Sequence, residues 1–341
     1  MALWCGLAAA TVQACGNDGG RPRTTSPQST SGASGDGGTG GIGGGGPNVS
    51  GSGGSGTGGV GSGGPNVSGS GGSGAGGTAT ACVPPDMLIV LDRTLTMHRT
   101  PDGDKPADAP NYGSSKWHQA ITALEQVIAP PLDEGIRFGL ELWPRDSGGC
   151  VRLEQQVTGS QSASNNSCET GEVLVEPALH TGRAIASALD PATTTLCYST
   201  PTGQALLEGE AYLQANHAED RDQYVMLVTD GADWADTCPS PDPLQAVQQL
   251  AAAGIKTYLV GFFSSTGSEV GTGVEFLNDM ACAGHTAEGF PATCTQDGNG
   301  NYVAADPDNG AVLYHQASST MGLATALDDI AAEVCCFCDP E

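Results

Sequence analysis

The chain has 341 residues, 52 of them glycine, 12 cysteines and a formal net charge of -26. Three lysines and nine arginines stand against 38 carboxylates, and such an anionic surface disfavours nucleic acid and anionic lipid as partners while it attracts cations. The glycines are concentrated before residue 80, whereas residues 82–338 have the composition of one globular domain with a sizeable core.

The first 15 residues, MALWCGLAAATVQAC, form an apolar run too short to span a bilayer as a permanent helix. The run resembles a bacterial lipoprotein signal, with Val12, Gln13, Ala14 and Cys15 in the place of the lipobox. This resemblance implies that Cys15 is lipidated and that the lipid is the membrane attachment. An ordinary secretory signal is the alternative. We therefore expect an exported protein, either a lipoprotein of the bacterial cell envelope, at the outer membrane or cell surface, or a secreted protein.

Residues 16–80 are mostly Gly, Ser, Thr, Asn and Pro. The segment GGPNVSGSGGSGTGG, from Gly45, recurs with one change from Gly63, a period of 18 residues. The repeat is too polar and too rich in glycine for a solenoid, so it indicates a duplicated, disordered linker. Its r.m.s. reach would be roughly 45 Å, which would hold the following domain away from a membrane.

Short apolar runs alternate with amphipathic ones after Cys82. Strands are predicted at 87–92, 136–143, 173–179, 224–230 and 255–263. Helices are predicted at 115–128, 182–189, 203–217, 244–254, 274–282 and 323–334. Near-continuous apolar strands interleaved with helices indicate an α/β fold with a mostly parallel sheet covered on both faces. The run 136–143 alternates more than the others, as an edge or antiparallel strand does.

Polar oxygen donors follow the apolar runs of this predicted sheet. Asp92 ends the first strand, Asp230 ends a later one, and Thr200 and Thr202 precede a helix. Ligands of such sheets bind outside the carboxyl ends of the strands, so these loops are expected to converge. Carboxylate and hydroxyl oxygens suit a hard cation such as Mg2+.

Three motifs arrive in a fixed order: D-x-T-x-T after the first strand, T-P-T-G before a helix and T-D-G after a later strand. Together they resemble the loops of the von Willebrand factor type A (VWA) domain, over about residues 82–338. The resemblance implies a doubly wound, Rossmann-like α/β fold. It also implies a metal-ion-dependent adhesion site (MIDAS) that binds Mg2+, Mn2+ or Ca2+.

By position in these motifs, Asp92 and Asp230 would act mainly through metal-bound water. Thr94, Thr96 and Thr200 would offer hydroxyl oxygens, and the sixth metal position would accept a carboxylate from a ligand. The family's first motif is D-x-S-x-S, and here both serines are threonines. A threonine keeps the hydroxyl but adds a methyl group and stiffens its first side-chain torsion. The alternative is that the first motif only caps a strand and turn.

Several neighbouring residues have simpler interpretations. Thr202 is expected to be a helix N-cap or a supporting hydroxyl rather than a ligand. Arg93 and His98 flank the first motif and are expected to be solvated loop residues. Asp233 and Asp236 could tune the site or bind a second ion.

The cysteines suit an exported, oxidised protein. Proximity favours a disulfide between Cys197 and Cys238, which would brace the predicted site, and disulfides that close the loops 150–168 and 282–294. Cys82 would pair with one of the three cysteines near the C-terminus, and zinc binding is the alternative for that group. The candidate disulfide residues are Cys82, Cys150, Cys168, Cys197, Cys238, Cys282, Cys294, Cys335, Cys336 and Cys338.

The stretch DGNGNYVAADPD, from Asp297 to Asp308, has the acidic spacing of a calcium loop. Tyr302 stands where that loop needs glycine, so a hairpin turn at Asn299 and Gly300 is the favoured interpretation.

The resulting hypothesis is a membrane-tethered, non-enzymatic binding module that engages a protein or cell-surface ligand through a divalent cation. A structural envelope protein with a vestigial metal site is the first alternative, and the two threonine replacements favour it. A metal-dependent hydrolase is the second, but none of the six histidines forms a recognisable catalytic pair and no G-x-S-x-G motif occurs.

Overall fold

The computed structural model describes residues 83–163, 168–231, 238, 241–262, 270–306 and 311–335. The predicted signal segment, Cys15, the linker repeat and Cys82 lie outside these residues. Within the ranges given, no helix is long and apolar enough to cross a membrane.

The elements alternate between strands and helices along the chain. The strands are β1 (Asp86–Asp92), β2 (Arg137–Trp143), β3 (Val151–Arg152), β4 (Glu172–Ala178), β5 (Thr195–Leu196), β6 (Gln223–Thr229), β7 (Lys256–Phe262), β8 (Cys294–Gln296), β9 (Tyr302–Ala304) and β10 (His315–Ala317). The helices are α1 (Lys116–Val127), α2 (Leu132–Gly135), α3 (Leu153–Thr158), α4 (Gly182–Ala188), α5 (Thr202–Ala215), α6 (Pro243–Ala252), α7 (Val270–Ala283) and α8 (Thr320–Val334), with a 3-10 turn at Leu95–His98.

The main sheet has six strands in the order β10-β7-β6-β1-β2-β4. All neighbours are parallel except β2 and β4. Each strand and helix predicted after Cys82 is present, with ends that differ by a few residues. The prediction of a mostly parallel sheet flanked by helices is confirmed.

β1 lies in the middle of the sheet and is buried on both faces. Met87, Ile89 and Leu91 pack into one core with α1 and α8, whereas Leu88 and Val90 pack into a second core with α5, α6 and α7. Successive side chains of a strand point to opposite faces, so a strand covered on both faces must be apolar throughout. This burial explains the unbroken run that precedes Asp92.

Of the two expectations for the run 136–143, the edge position is wrong and the antiparallel pairing is confirmed on one side of the strand. β2 is an internal strand that pairs with β1 in parallel and with β4 in an antiparallel manner, and β4 is the edge strand. The alternation that misled the prediction comes from Glu141, which is polar in sequence but fully buried.

Candidate functional site

Asp92 ends β1 at the carboxyl edge of the sheet and is fully buried. Its Oδ1 accepts a hydrogen bond from the Thr94 backbone N–H at 2.6 Å, and its Oδ2 accepts one from the Thr229 hydroxyl at 2.8 Å. Burial, and then the negative charge of Asp230, raise the pKa of Asp92 to about 7, although the hydrogen bonds from Thr94 and Thr229 lower it. Parallel pairing of β1 with β6 brings these groups together.

Two hydroxyls connect the first motif to the second carboxylate. The Thr94 and Thr96 hydroxyl oxygens are 3.0 Å apart, and the Thr96 hydroxyl donates to Asp230 Oδ1 at 2.8 Å. Thr94 immediately precedes the 3-10 turn, which folds the chain tightly enough for these two hydroxyls to meet. Thr96 is exposed, so the cluster opens to solvent there. Four of the five predicted metal-site residues therefore lie in one hydrogen-bonded cluster.

Lys116 joins this cluster, and the sequence analysis missed it. Its Nζ lies 2.5 Å from Asp230 Oδ2, and the Lys116 and Asp230 side chains are only 2% and 4% exposed. Lys116 is the first residue of α1 and lies four residues before the buried Ala120. Residues four apart lie on the same face of a helix, so this spacing could have predicted that Lys116 lies on the buried face of α1.

Backbone contacts hold the start of α1 against the first motif. The Lys116 N–H donates to the Arg99 carbonyl oxygen at 2.7 Å, directly after the 3-10 turn. The Ser115 side chain caps the helix by accepting from the His118 N–H. The Lys116 side chain therefore starts from a fixed backbone position beside Asp230.

Thr200 is half-buried in the loop that follows β5. The Cys197 N–H donates to the Arg93 carbonyl oxygen at 2.9 Å, which places this loop beside the first motif. The described contacts do not join the Thr200 hydroxyl to the four clustered side chains, so its role as a ligand stays a prediction. Tyr198, which the sequence analysis did not single out, is 45% exposed in the same loop.

Thr202 is not the N-cap of α5. Pro201 occupies the cap position, and Thr202 is the first helical residue, because α5 begins one residue earlier than predicted. The Thr202 hydroxyl oxygen is buried and has no hydrogen-bond partner. A Cβ on Gly203 would lie 2.0 Å from the Pro241 carbonyl oxygen, so this position needs glycine to let α5 approach the start of α6.

The expectation of a solvated Arg93 is also wrong. Arg93 is 5% exposed, and its Nε donates to the Pro144 carbonyl oxygen at 2.7 Å, because the loop after β2 covers it. His98 is half-buried, and its Nδ1 contacts the Leu95 carbonyl oxygen. Burial lowers the pKa of His98. Asp233 and Asp236 lie outside the described residues.

The disulfides differ from the predicted pairing around the site. Cys150 pairs with Cys197, and Cys168 pairs with Cys238, in place of the expected 197–238 and 150–168 bridges. The reason is tertiary: β3 and β5 pair in an antiparallel manner, which brings Cys150, just before β3, beside Cys197, just after β5.

The disulfide expected between Cys282 and Cys294 is confirmed. Cys335 is disulfide-bonded, whereas Cys336 and Cys338 lie outside the described residues. Two of these bridges, Cys150–Cys197 and Cys168–Cys238, join segments 47 and 70 residues apart in the chain and flank the loops of the candidate site.

The second acidic loop is a hairpin turn between β8 and β9, as favoured. Gln296 pairs with Tyr302, and Asp297 Oδ1 accepts from the Asn299 and Asn301 N–H groups at 2.8 and 2.9 Å. Gly300 has a φ of 87°, which favours glycine. Asp308 lies outside the described residues.

The clustered donors are of the type that a hard cation prefers. Two carboxylates and two hydroxyls converge at one edge of the sheet, and Thr96 is open to solvent. All four carboxylate oxygens already have a partner, and one of those partners is the Lys116 ammonium. The donor set fits Mg2+ or Mn2+, with Lys116 as a competing cation.

Comparisons with known proteins show a family match over part of the chain. The family model of the von Willebrand factor type A domain matches residues 172–296, which include Thr200 and Asp230 but not Asp92. No curated protein matches this chain. The similar solved structures include the pilus adhesin SpaC from Lactobacillus rhamnosus GG, at 13% identity and a TM-score of 0.43, with 74% of this chain and 31% of SpaC covered.

Two further solved structures have similarly low sequence identities and TM-scores. A variant of the PilB minor pilin from Streptococcus sanguinis has 12% identity and a TM-score of 0.47, with 75% of this chain and 62% of PilB covered. The manganese-loaded TRAP protein of Plasmodium vivax has 15% identity and a TM-score of 0.35, with 54% of this chain and 58% of TRAP covered. This chain thus spans less than two thirds of each of these structures. Residues 172–296 thus match the von Willebrand factor type A domain family, and the mostly parallel sheet flanked by helices is consistent with that match.

Proposed function

We propose that this protein is an exported, membrane-tethered binding module that engages a protein or surface ligand through a divalent cation at the carboxyl edge of the sheet. The observation that carries the proposal is the hydrogen-bonded cluster of Asp92, Thr94, Thr96 and Asp230. These residues come from two separate loops, and turn capping alone does not require a link between them. The VWA domain supports an adhesion-type module in general terms.

In this proposal the clustered residues hold Mg2+, with Mn2+ or Ca2+ as substitutes, and Thr200 adds a further hydroxyl. The ion when bound would offer an open coordination position to a carboxylate of the ligand. The chain's own residues orient the site: Thr229 and the Thr94 N–H hold the Asp92 carboxylate, and the Thr96 hydroxyl holds Asp230. Tyr198 lies exposed in the Thr200 loop and is placed to contact the ligand.

The proposed function also includes attachment to a membrane through the N-terminal segment. Lipidation of Cys15 and the linker of residues 16–80 would attach the domain to a membrane of the bacterial envelope while the site stays free to meet its ligand. In this proposal the module binds its ligand and is not an enzyme.

Thermal unfolding of the full chain with Mg2+, Mn2+ and Ca2+ tests the cation site. A site that binds only the folded state raises the melting temperature once the ion exceeds its dissociation constant. We expect such a shift in the wild type and its loss in Asp92→Asn. This variant removes a negative charge from the cluster but keeps an oxygen that can accept from the Thr94 N–H.

Asp104→Asn is the matched control, because Asp104 is an exposed carboxylate in the loop after the 3-10 turn. The control should keep the full shift. An equal shift in the wild type and in Asp92→Asn would locate the ion elsewhere, and the absence of any shift in the wild type would contradict the proposal.

One observation favours a second candidate, a structural envelope protein with no bound cation. The ammonium of Lys116 already neutralises one of the two carboxylates from within the protein. Such a protein would show the same unfolding and the same partners in EDTA as in Mg2+.

A further inference from the structure

We propose that Lys116 is a resident cation of this site and that its ammonium competes with the divalent ion for Asp230. The inference rests on the proposed cation site and concerns how that site is regulated. Its basis is the juxtaposition of the Lys116 Nζ and Asp230 Oδ2, 2.5 Å apart and nearly free of solvent.

Both oxygens of Asp230 are occupied in this arrangement. The Thr96 hydroxyl donates to Oδ1, and Lys116 binds Oδ2. A divalent ion held by the same carboxylate would place two cations side by side in a largely buried site, where repulsion is much stronger than in water. This repulsion favours departure of the ammonium from Asp230 when the ion binds, whether the carboxylate holds the ion directly or through a bound water.

The buried position of the Lys116 ammonium is also unfavourable once the divalent ion binds Asp230. It is the first residue of the 12-residue helix α1, and a positive charge at a helix N-terminus is unfavourable. A buried ammonium without its carboxylate is more unfavourable still. Its long and flexible stem lets the ammonium move while the backbone stays bound to Arg99.

As a consequence, the affinity of the site for the divalent ion depends on the position of the Lys116 side chain. With Lys116 in place, two carboxylates share their charge with one ammonium, so a cation meets a weaker field than the carboxylates alone would produce. The ion must also move the lysine side chain before it binds. Lys116 thus sets the ion concentration at which the module becomes competent to bind its ligand.

Titration of the full chain with Mn2+ tests the competition directly. We compare the wild type, Lys116→Met and Lys105→Met, with calorimetry for affinity and circular dichroism for folding. Methionine keeps an unbranched stem of similar length without the charge, and Lys105 is an exposed lysine that controls for the loss of one surface charge. We expect Lys116→Met to bind Mn2+ about tenfold or more tightly than the wild type, and Lys105→Met to stay within about twofold of it.

The outcomes separate this inference from the proposed function. Binding by the wild type with no gain in Lys116→Met would overturn the competition and leave the cation site intact. Binding by Lys116→Met alone would support the competition and overturn cation dependence of the natural chain. Absence of binding in both would overturn both.

A second measurement needs no substitution and so does not depend on the folding of a variant. Acetylation of the wild-type lysines is followed by peptide mass spectrometry with and without Mg2+. Lys116 should be protected without the ion and become reactive with it, whereas the exposed Lys105 and Lys256 should react equally in both conditions. Continued protection of Lys116 at an ion concentration that raises the melting temperature would overturn the inference.

Discussion

Among the places where this domain buries carboxyl groups, two do so in opposite ways. At the carboxyl edge of the sheet, Asp92 and Asp230 have a partner on every oxygen, including the ammonium of Lys116. In the middle of β2, Glu141 is fully buried, and neither of its carboxyl oxygens has a hydrogen-bond partner. Burial, then the charge of Glu208, raises the pKa of Glu141 well above its usual value, and Arg145 opposes this only weakly.

The difference lies in the partners of each buried acid: burial raises the pKa of both Asp92 and Glu141, but hydrogen bonds oppose the rise only at Asp92, where the pKa reaches about 7. Hydrogen bonds and an opposite charge stabilise the ionised form, whereas an apolar environment stabilises the protonated form. The edge cluster is therefore suited to hold a cation, and Glu141 is suited to remain neutral among apolar neighbours. The following predictions test this contrast in order of decreasing effect.

Removal of one half of the buried ion pair should have the largest effect. Asp230→Ala leaves the Lys116 ammonium buried without a carboxylate, and we expect a loss of about 3–5 kcal/mol in the free energy of unfolding. The double variant Asp230→Ala/Lys116→Met should recover part of that loss, because no buried charge remains. Chemical denaturation of the ion-free protein measures the cycle. Additive losses in the double variant would show that the two side chains do not interact.

The second largest loss of stability should come from a substitution that crowds Glu141. A Cβ on Gly171 would lie 1.6 Å from Glu141 Oε1, so Gly171→Ala must displace a buried side chain. We expect a loss of about 1–3 kcal/mol. Gly298→Ala is the control, because nothing lies within 4 Å of a Cβ there. If Gly171→Ala is as stable as this control, Glu141 does not pack tightly against Gly171, the residue just before β4.

The pH dependence of stability should reveal the neutral form of Glu141. The folded protein keeps its proton above the ordinary pKa of 4.5, at which the unfolded chain loses it, so the folded state binds more protons there. Stability attributable to this group therefore falls as the pH rises from about 4.5 to the folded pKa, by at most about 1.4 kcal/mol per pH unit. Glu141→Gln should flatten that decline, and urea unfolding from pH 5 to 9 measures it.

Glu125→Gln, at an exposed position of α1, serves as the comparison for this pH series. It should follow the wild-type curve. Asp92, with its pKa of about 7, should leave a smaller decline in Glu141→Gln below that pH. A decline of the same size in Glu141→Gln and the wild type would assign the lost proton to groups other than Glu141.

Substitution at the rim of the edge cluster should have the smallest effect on stability. Tyr198 is 45% exposed, so Tyr198→Ala should change the free energy of unfolding by no more than about 0.5 kcal/mol and leave the cation-induced shift intact. Tyr258→Ala, at a tyrosine that is 1% exposed, should cost about 3–5 kcal/mol. A large loss in Tyr198→Ala would mean that this side chain supports the fold rather than a ligand.

The sequence alone determined the order of strands and helices and the edge at which Asp92 and Asp230 lie. Both follow from local rules: side chains repeat with period 2 in strands and 3.6 in helices, and parallel strands end at a common edge. The same rules indicated the hairpin at Asn299 and Gly300, because a turn depends on a few adjacent residues.

Tertiary structure decided the rest. The partner of Asp230, the pairing of Cys150 with Cys197 and the burial of Glu141 each depend on which distant segments meet, and no local pattern encodes that. Asp92 and Lys116 are separated by 23 residues, and Lys116 and Asp230 by 113; the packing of α1 against the sheet brings them together. The burial of Lys116 and Glu141 was the hardest feature to predict, because lysine and glutamate are usually surface residues. Whether such a buried side chain has a partner of opposite charge depends on the tertiary structure.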